Sequence, residues 1–271
     1  MIPMNAPTLT DRAALLRNRQ RATSNALFLH DQIADELHER LDEVNKSFPS
    51  VAVVTGFPDH WSQYFPHATT VADEETLELA PGSYDLVLHV MALHWANDPV
   101  GQLVQCRRAL KPDGLLICSF LGGQTLHELR SALGQAEANI TGGLSPRVAP
   151  MGEIRDLGAL LQRAGFALPV ADATPLSASY ETAYHLMHDL RAMGEANALE
   201  SRLRHPTKRK VIAEAARIYA DTFADGDLVK ATFEIITLTG WAPAENQPKP
   251  LRPGSATTRL ADVLNTKETK L

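Results

Sequence analysis

Between Tyr84 and Leu121 the chain carries a strand, a helix, a turn and a second strand at spacings that one kind of unit satisfies. Tyr84-Asp-Leu-Val-Leu-His-Val90 is an apolar run short enough for a buried strand. Asp98-Pro99 starts a helix, with a capping carboxylate followed by proline in the first turn, and that helix runs to about Leu110. Lys111-Pro112-Asp113-Gly114 is a turn by composition, and Leu115 to Leu121 follows as a fully buried strand. Two buried strands joined by a helix give a right-handed βαβ unit, so the chain is committed to an open α/β sheet with helices on both faces.

The flanking segments extend the same pattern. Residues 10–22 form a short basic helix, and Leu29, Ile33, Leu37, Leu41 and Val44 recur at helical spacing. Val51 to Val54 is a continuous apolar run ending in Thr55-Gly56, the mark of a buried parallel strand, and Thr69 to Ala72 is a further strand. Downstream, Leu126, Leu129 and Leu133 lie on one helix. A glycine-proline loop over 141–150 is either a lid or a connector. Ile154, Leu157, Leu160 and Leu161 lie on another helix, with Gly165 as its C-terminal cap. A strand over Phe166–Ala173, helices over 181–193 and 207–223, and a last strand over Ala231–Gly240 complete the reading. Met187, Met193 and Tyr184 read as core by their helical spacing. This divides the chain into an N-terminal helical segment (1–46), an α/β body (47–241) with helical insertions near 181–223, and an extended tail (242–271).

Bulk properties narrow the function. A net charge of −6 opposes a general nucleic-acid binder, which needs a basic surface for phosphates. The run Arg202, Arg204, His205, Lys208, Arg209, Lys210 reads as a solvated helix start, with a docking patch for an acidic partner as the sharper alternative. Cys106 and Cys118 make neither a disulfide framework nor a metal set, which points to a reducing compartment. No apolar stretch reaches membrane-spanning length. The arginines at 12, 17, 19 and 21 sit in a segment that is not acid-free, so the expectation is a cytoplasmic protein without a transit peptide.

Several stretches resemble one branch of the class I methyltransferases: Ser83-Tyr-Asp-Leu-Val87, Leu93-His94-Trp95-Ala-Asn97-Asp98, Arg108-Ala-Leu-Lys-Pro-Asp-Gly114 and Gly122-Gly-Gln-Thr-Leu-His-Glu-Leu-Arg130. The branch is the methyltransferase-like assembly factor of mitochondrial respiratory complex I with its bacterial relatives, a neighbour of the biotin-pathway malonyl-carrier methyltransferases. The likeness continues through Gly142-Gly-Leu-Ser-Pro146, Arg163-Ala-Gly-Phe166, Met187-His-Asp-Leu-Arg-Ala-Met-Gly-Glu195-Ala-Asn197 and Gly240-Trp241, and covers roughly residues 69–256. It implies a Rossmann-like sheet, S-adenosylmethionine (SAM) as cofactor without a metal, and a protein partner, with peripheral membrane association through a membrane complex. It also implies Gly56, Asp73, Glu74, Leu93 and His94 as cofactor-side residues, with Asp73 or Glu74 accepting from the adenine amino group. His94 and Trp95 are alternatively packing residues, with Trp95 under the following helix.

The sequence departs from that family where the cofactor is held. SAM-binding members carry a glycine-rich loop after the first strand, where backbone amides must approach the methionine portion closely. Here the loop reads Val53-Val54-Thr55-Gly56-Phe57-Pro58-Asp59, with one glycine and with a proline that lacks a donor. Between Gly56 and Val71 lie 14 residues. A parallel crossover takes at least about 10–12 residues, so this interval holds one crossover and not two. The expectation is a sheet one strand narrower than the usual seven, with the second strand and its ribose-binding acid missing and the strand at Val71 directly beside the one at Val51. Three functions remain open. The first is a degenerate methyltransferase-fold protein, with SAM binding impaired or absent, that serves as an assembly or maturation factor. The second is an active SAM-dependent enzyme that methylates a protein or hydroxylates an arginine. The third is a binder of another small ligand near His94 and Phe57.

Overall fold

The computed structural model describes residues 8–247. Its elements are α1 (Arg12–Arg19), α2 (Phe28–Glu43), β1 (Val51–Thr55), α3 (Pro58–Trp61), β2 (Thr69–Ala72), β3 (Tyr84–Val90), α4 (Pro99–Ala109), β4 (Leu110–Leu121), α5 (His127–Thr141), α6 (Ile154–Ala164), β5 (Ala167–Tyr180), α7 (Ala183–Ala192), α8 (Arg209–Thr222), β6 (Ala224–Asp225) and β7 (Leu228–Trp241). The strands form one sheet in the order β2-β1-β3-β4-β7-β5, and the two-residue β6 is attached to β7 off this path. Pairings among β2, β1, β3 and β4 are parallel, whereas β7 runs antiparallel to β4, β5 and β6. All strands except β7 therefore point one way, and the sheet is mostly parallel.

Period-two alternation assigns the two faces. Val53, Leu86, Leu88, Val90, Leu115 and Ile117 belong to one core, with α2, α5, α7 and α8 over it. Ala52, Val54, Val87, Leu116, Cys118 and Phe120 belong to the other, covered by α4 and α6. β2 pairs directly with β1, Val71 opposite Val54, and no strand lies between them. The continuous path is six strands, as the 14-residue interval requires, and the seventh strand is the β6 stub at the far side.

Local signals in the sequence set the element ends. Asp98 caps α4 by accepting from the Gly101 amide at 2.8 Å, and Pro99 occupies the first turn. Gly165 closes α6 at φ +82°, where a side chain is strained. The Lys-Pro-Asp-Gly turn differs from its reading. It is the irregular start of β4, with Asp113 at φ +61° and a register shift against β3. β5 and β7 also run beyond the expected ends, as a long antiparallel pair from Ala167↔Trp241 to Tyr180↔Val229. The tail is described only as far as residue 247, so most of the extended-arm reading lies outside the described residues.

Candidate functional site: a crevice closed by the N-terminal helix

The loops at the C-terminal ends of β1, β2 and β3 enclose the crevice where open α/β sheets take ligands. Gly56 follows β1, and Asp73 and Glu74 follow β2. Leu93 and His94 lie in a 3-10 turn, Leu93–Trp95, just after β3. The five residues that the resemblance implied for the cofactor are thus brought to one end of the sheet. Asp73 is buried, as are Leu93 and the His94 side chain, and Glu74 is exposed.

α1 closes this crevice. Arg19 Nη1 and Nη2 donate to the two carboxylate oxygens of Asp73 at 2.7 and 3.0 Å, with the side chains 4% and 3% exposed. Arg12, seven positions earlier and so on the same helix face, adds longer bonds to the same carboxylate at 3.2 and 3.4 Å. Burial pushes the Asp73 carboxyl up, but the guanidinium of Arg19, followed by that of Arg12, outweighs it and holds the group below the usual carboxylate range. The Arg19 guanidinium lies flat against Gly56, where an added Cβ would fall 2.2 Å from Cζ. Phe57 presents its ring 5.8 Å from that carbon. A cavity of about 430 Å³ remains outside the guanidinium, lined by Leu16, Arg19, Gly56, Phe57 and His60.

Polar straps hold α1 at both sides. Asp11 caps it by accepting from the Ala14 amide, and also pairs with Arg202 and Arg204. The basic run at 202–210 is thereby partly used within the chain. Asn97 Oδ1 accepts from the amides of Leu9 and Thr10 at 2.9 Å each, and Asn18 Nδ2 donates to the Ala196 carbonyl. Ala14 and Leu15 pack with Trp95 and Ala198 in a small apolar cluster separate from the two main cores.

The His94-Trp95 pair is joined to α7's trailing segment. Trp95 Nε1 donates to Glu195 Oε2 at 2.8 Å, and His94 Nε2 lies 3.2 Å from the same oxygen. Burial drives the Glu195 carboxyl up, yet His94, and after it Arg19 and Trp95, hold it low and charged. Trp95 therefore packs with Ala14 and Leu15 of α1 and with Ala198, a cover that the packing alternative, which placed it under α4, did not include. Behind the pair, His89 donates from Nε2 to Gln102 Oε1 at 2.7 Å, and Gln102 Nε2 donates to the Asp73 and Glu74 carbonyls. His30 Nδ1 accepts from Trp61 Nε1 at 2.9 Å, which fixes a neutral imidazole.

A second cavity, about 170 Å³, lies beside Trp95 and Glu195 and is walled by Leu126, Leu129 and Met187. The 141–150 loop contributes Arg147 to Ala149 to its wall, and Arg147 is tied down by Glu137 and Thr207. Met193 is core and Met187 half-buried, but Tyr184 is 44% exposed, because its place on α7 turns it away from the sheet. Among the described residues no group of His, Cys, Asp or Glu is arranged to hold a metal ion, and no helix is long and apolar enough to cross a membrane.

The residues present do not fit SAM as they are arranged. Asp73, the carboxylate that the resemblance implied for the adenine, is taken by two arginines, and the one loop glycine backs a guanidinium. Sequence reasoning missed Arg12, Arg19, Asn97 and Glu195. Arginines seven apart on one helix face were the signal available for the first two.

Sheet order, the single reversed strand and a ligand crevice at the strand ends define a protein of the class I methyltransferase fold. A methyltransferase-domain family model matches residues 38–118. The chain belongs to the family of proteins named "Arginine-hydroxylase NDUFAF5, mitochondrial". The Rattus norvegicus member is 34% identical over 86% of this chain and 68% of its own length. The Danio rerio member is 39% identical over 73% of this chain, which spans only 62% of that relative. A "Malonyl-[acyl-carrier protein] O-methyltransferase" from Methylovorus sp. (strain MP688) is 38% identical over 64% of this chain and 56% of its own. The crystal structure of the YcgJ protein from Bacillus subtilis aligns over 79% of this chain and 99% of that one, at 11% identity and a TM-score of 0.49.

Proposed function

We propose that this protein is a degenerate methyltransferase-fold factor that binds another protein during assembly or maturation, for respiratory complex I in particular, with SAM binding impaired or absent. The observation that carries this reading is that Asp73, the acid at the end of the strand directly beside β1, already has both its oxygens engaged by Arg19 and Arg12 of the same chain. The arginine pairs on Asp73 support it, since small-molecule sites depend on a few well-placed polar groups being free. Support for a protein ligand comes from the relatives named for a methyltransferase that acts on a malonyl-[acyl-carrier protein]. In this reading the protein works in the cytoplasm and touches the membrane only through a membrane complex. Within segment 1–46 the helix α1 seals the crevice, and the 47–241 body offers the partner-binding faces. Gly56, Asp73, Glu74, Leu93 and His94 are what remains of a cofactor site.

The second reading is an active SAM-dependent enzyme acting on a protein, an arginine hydroxylase or a methyltransferase. The buried, charged Glu195 beside His94 at the end of β3 favours it, because a held acid–imidazole pair suits proton transfer.

Calorimetric titration with SAM and with S-adenosylhomocysteine separates the two. The expected result is no binding at millimolar ligand, alongside recovery of a specific protein partner by affinity purification from the native host. Micromolar binding of either nucleoside would sink the degenerate reading in favour of the enzyme.

A further inference from the structure

We propose that the crevice at the ends of β1 and β2 is a guanidinium-binding site, and that Arg19 of the same chain is its resident ligand. The proposal deepens the preceding reading, in which the crevice no longer serves SAM, and gives the remodelled site a ligand class of its own.

Three features of the site select a guanidinium over other cations. Asp73 meets Arg19 with both oxygens, at 2.7 and 3.0 Å, and this two-point fork matches a planar ion but not a point charge such as an ammonium. Gly56 lets that plane lie against the backbone, and the 2.2 Å approach of a hypothetical Cβ to Cζ shows that any side chain there would occupy the ion's own volume. Phe57 gives the delocalised cation an aromatic face at 5.8 Å. Carboxylate fork, flat floor and aromatic wall together read the shape of the ion as well as its charge.

The surroundings agree with that chemistry. Asp73 and Glu195 are both buried acids held in their charged form, and Arg19 is among the causes for each. A cation at this point therefore answers two negative charges. Arg12 lies further out and also reaches Glu74 at 3.7 Å, so it shields the rim while Arg19 fills the site. Among the described residues Arg19 Nε has no acceptor. Recognition thus runs through the terminal nitrogens alone, and any mono-alkyl guanidinium presents that same edge.

The straps on α1 make the proposal testable in the full-length chain. Asp11, Asn97 and Asn18 hold the helix without help from Arg19, so truncating that side chain leaves α1 in place over an emptied socket. Thermal unfolding of Arg19→Ala would be followed in millimolar ethylguanidinium, in ethylammonium at matched ionic strength, and in S-adenosylhomocysteine, with the natural protein carried through every condition. Ethylguanidinium is expected to raise the Arg19→Ala midpoint saturably by about 5 °C. It should leave the natural protein unshifted, and its effect should vanish in Arg19→Ala/Asp73→Asn. Equal stabilisation by ethylammonium, or an equal response of the natural protein, would overturn the site. So would a shift of Arg19→Ala by S-adenosylhomocysteine as large as that by ethylguanidinium. Stabilisation of the natural protein by S-adenosylhomocysteine instead counts against the cofactor-poor reading above and is scored separately from the guanidinium result. Should Arg19→Ala fail to fold, Arg19→Lys keeps charge and stem while losing the fork. Its midpoint is expected to fall, and an unchanged midpoint would overturn the proposal.

Discussion

Asp73→Asn is expected to lower the unfolding free energy by about 3–5 kcal/mol, the usual cost of breaking a buried pair from one side. The substitution keeps the volume of the side chain and removes only its charge and one acceptor. Arg19, whose side chain is 4% exposed, is then left as an uncompensated cation under α1. Arg12 is the more exposed of the two arginines and can turn outward, so most of the cost falls on Arg19. A double-mutant cycle in urea isolates the coupling, with Arg19→Met as the second arm because methionine keeps much of the stem. If the pair is as buried as described, Asp73→Asn costs far less in the Arg19→Met background than in the natural one. A loss under about 1 kcal/mol for the single change would mean that the crevice is wet and open.

Acidification should weaken the fold well before its carboxylates titrate. His30 is depressed to about 3, chiefly by burial. The charge of Glu195 acts against that shift, and His60, Arg19 and His94 act with it. His89 is lowered in the same direction, also by burial. The unfolded chain binds a proton near pH 6.5 that the folded His30 refuses. This stability is therefore complete above that value and is lost as pH falls toward 3. At about 1.4 kcal/mol per pH unit, His30 alone accounts for roughly 2 kcal/mol between pH 6.5 and 5. Asp73 and Glu195 have lowered folded values. Their contribution is complete above the unfolded carboxylate range near 4 and is lost below it, in a second phase. Urea unfolding at pH 7.5, 6 and 5 reads the first phase. His30→Gln, which still offers Trp61 Nε1 an acceptor, should flatten it markedly, and a natural protein with equal stability at all three values would refute the assignment.

Much of the sheet was legible because β1, β3 and β4 are buried on both faces and spell themselves as apolar runs. The narrowed front edge was legible from length alone, since no rearrangement of 14 residues supplies a second crossover. β5 was read to Ala173 but continues to Tyr180; Pro175 interrupts the run, and the alternation of Leu176, Ala178 and Tyr180 with Ser177 and Ser179 was the signal passed over. Its pairing with β7 extends it, and Pro175 is tolerated because β5 is an edge strand. Tyr184 fitted a helical period and still faces outward, since periodicity fixes a face of the helix and not which neighbour covers it. The site was half legible. Gly56, Asp73 and His94 were named through the family resemblance, but their partners lie on α1 and after α7. Long-range pairing of charges leaves no local mark in a sequence beyond two arginines on one face.

The straps on α1 also bear on the order in which the molecule is made. Asn18 reaches across 178 positions to the Ala196 carbonyl, and Asp11 across 191 to Arg202. During synthesis these two straps wait for residues 196–202, long after Asp73 and Asn97 have been made, and contacts so distant in sequence form slowly. The seal over the crevice is thus drawn tight by partners made far apart in time, near ones first and distant ones later.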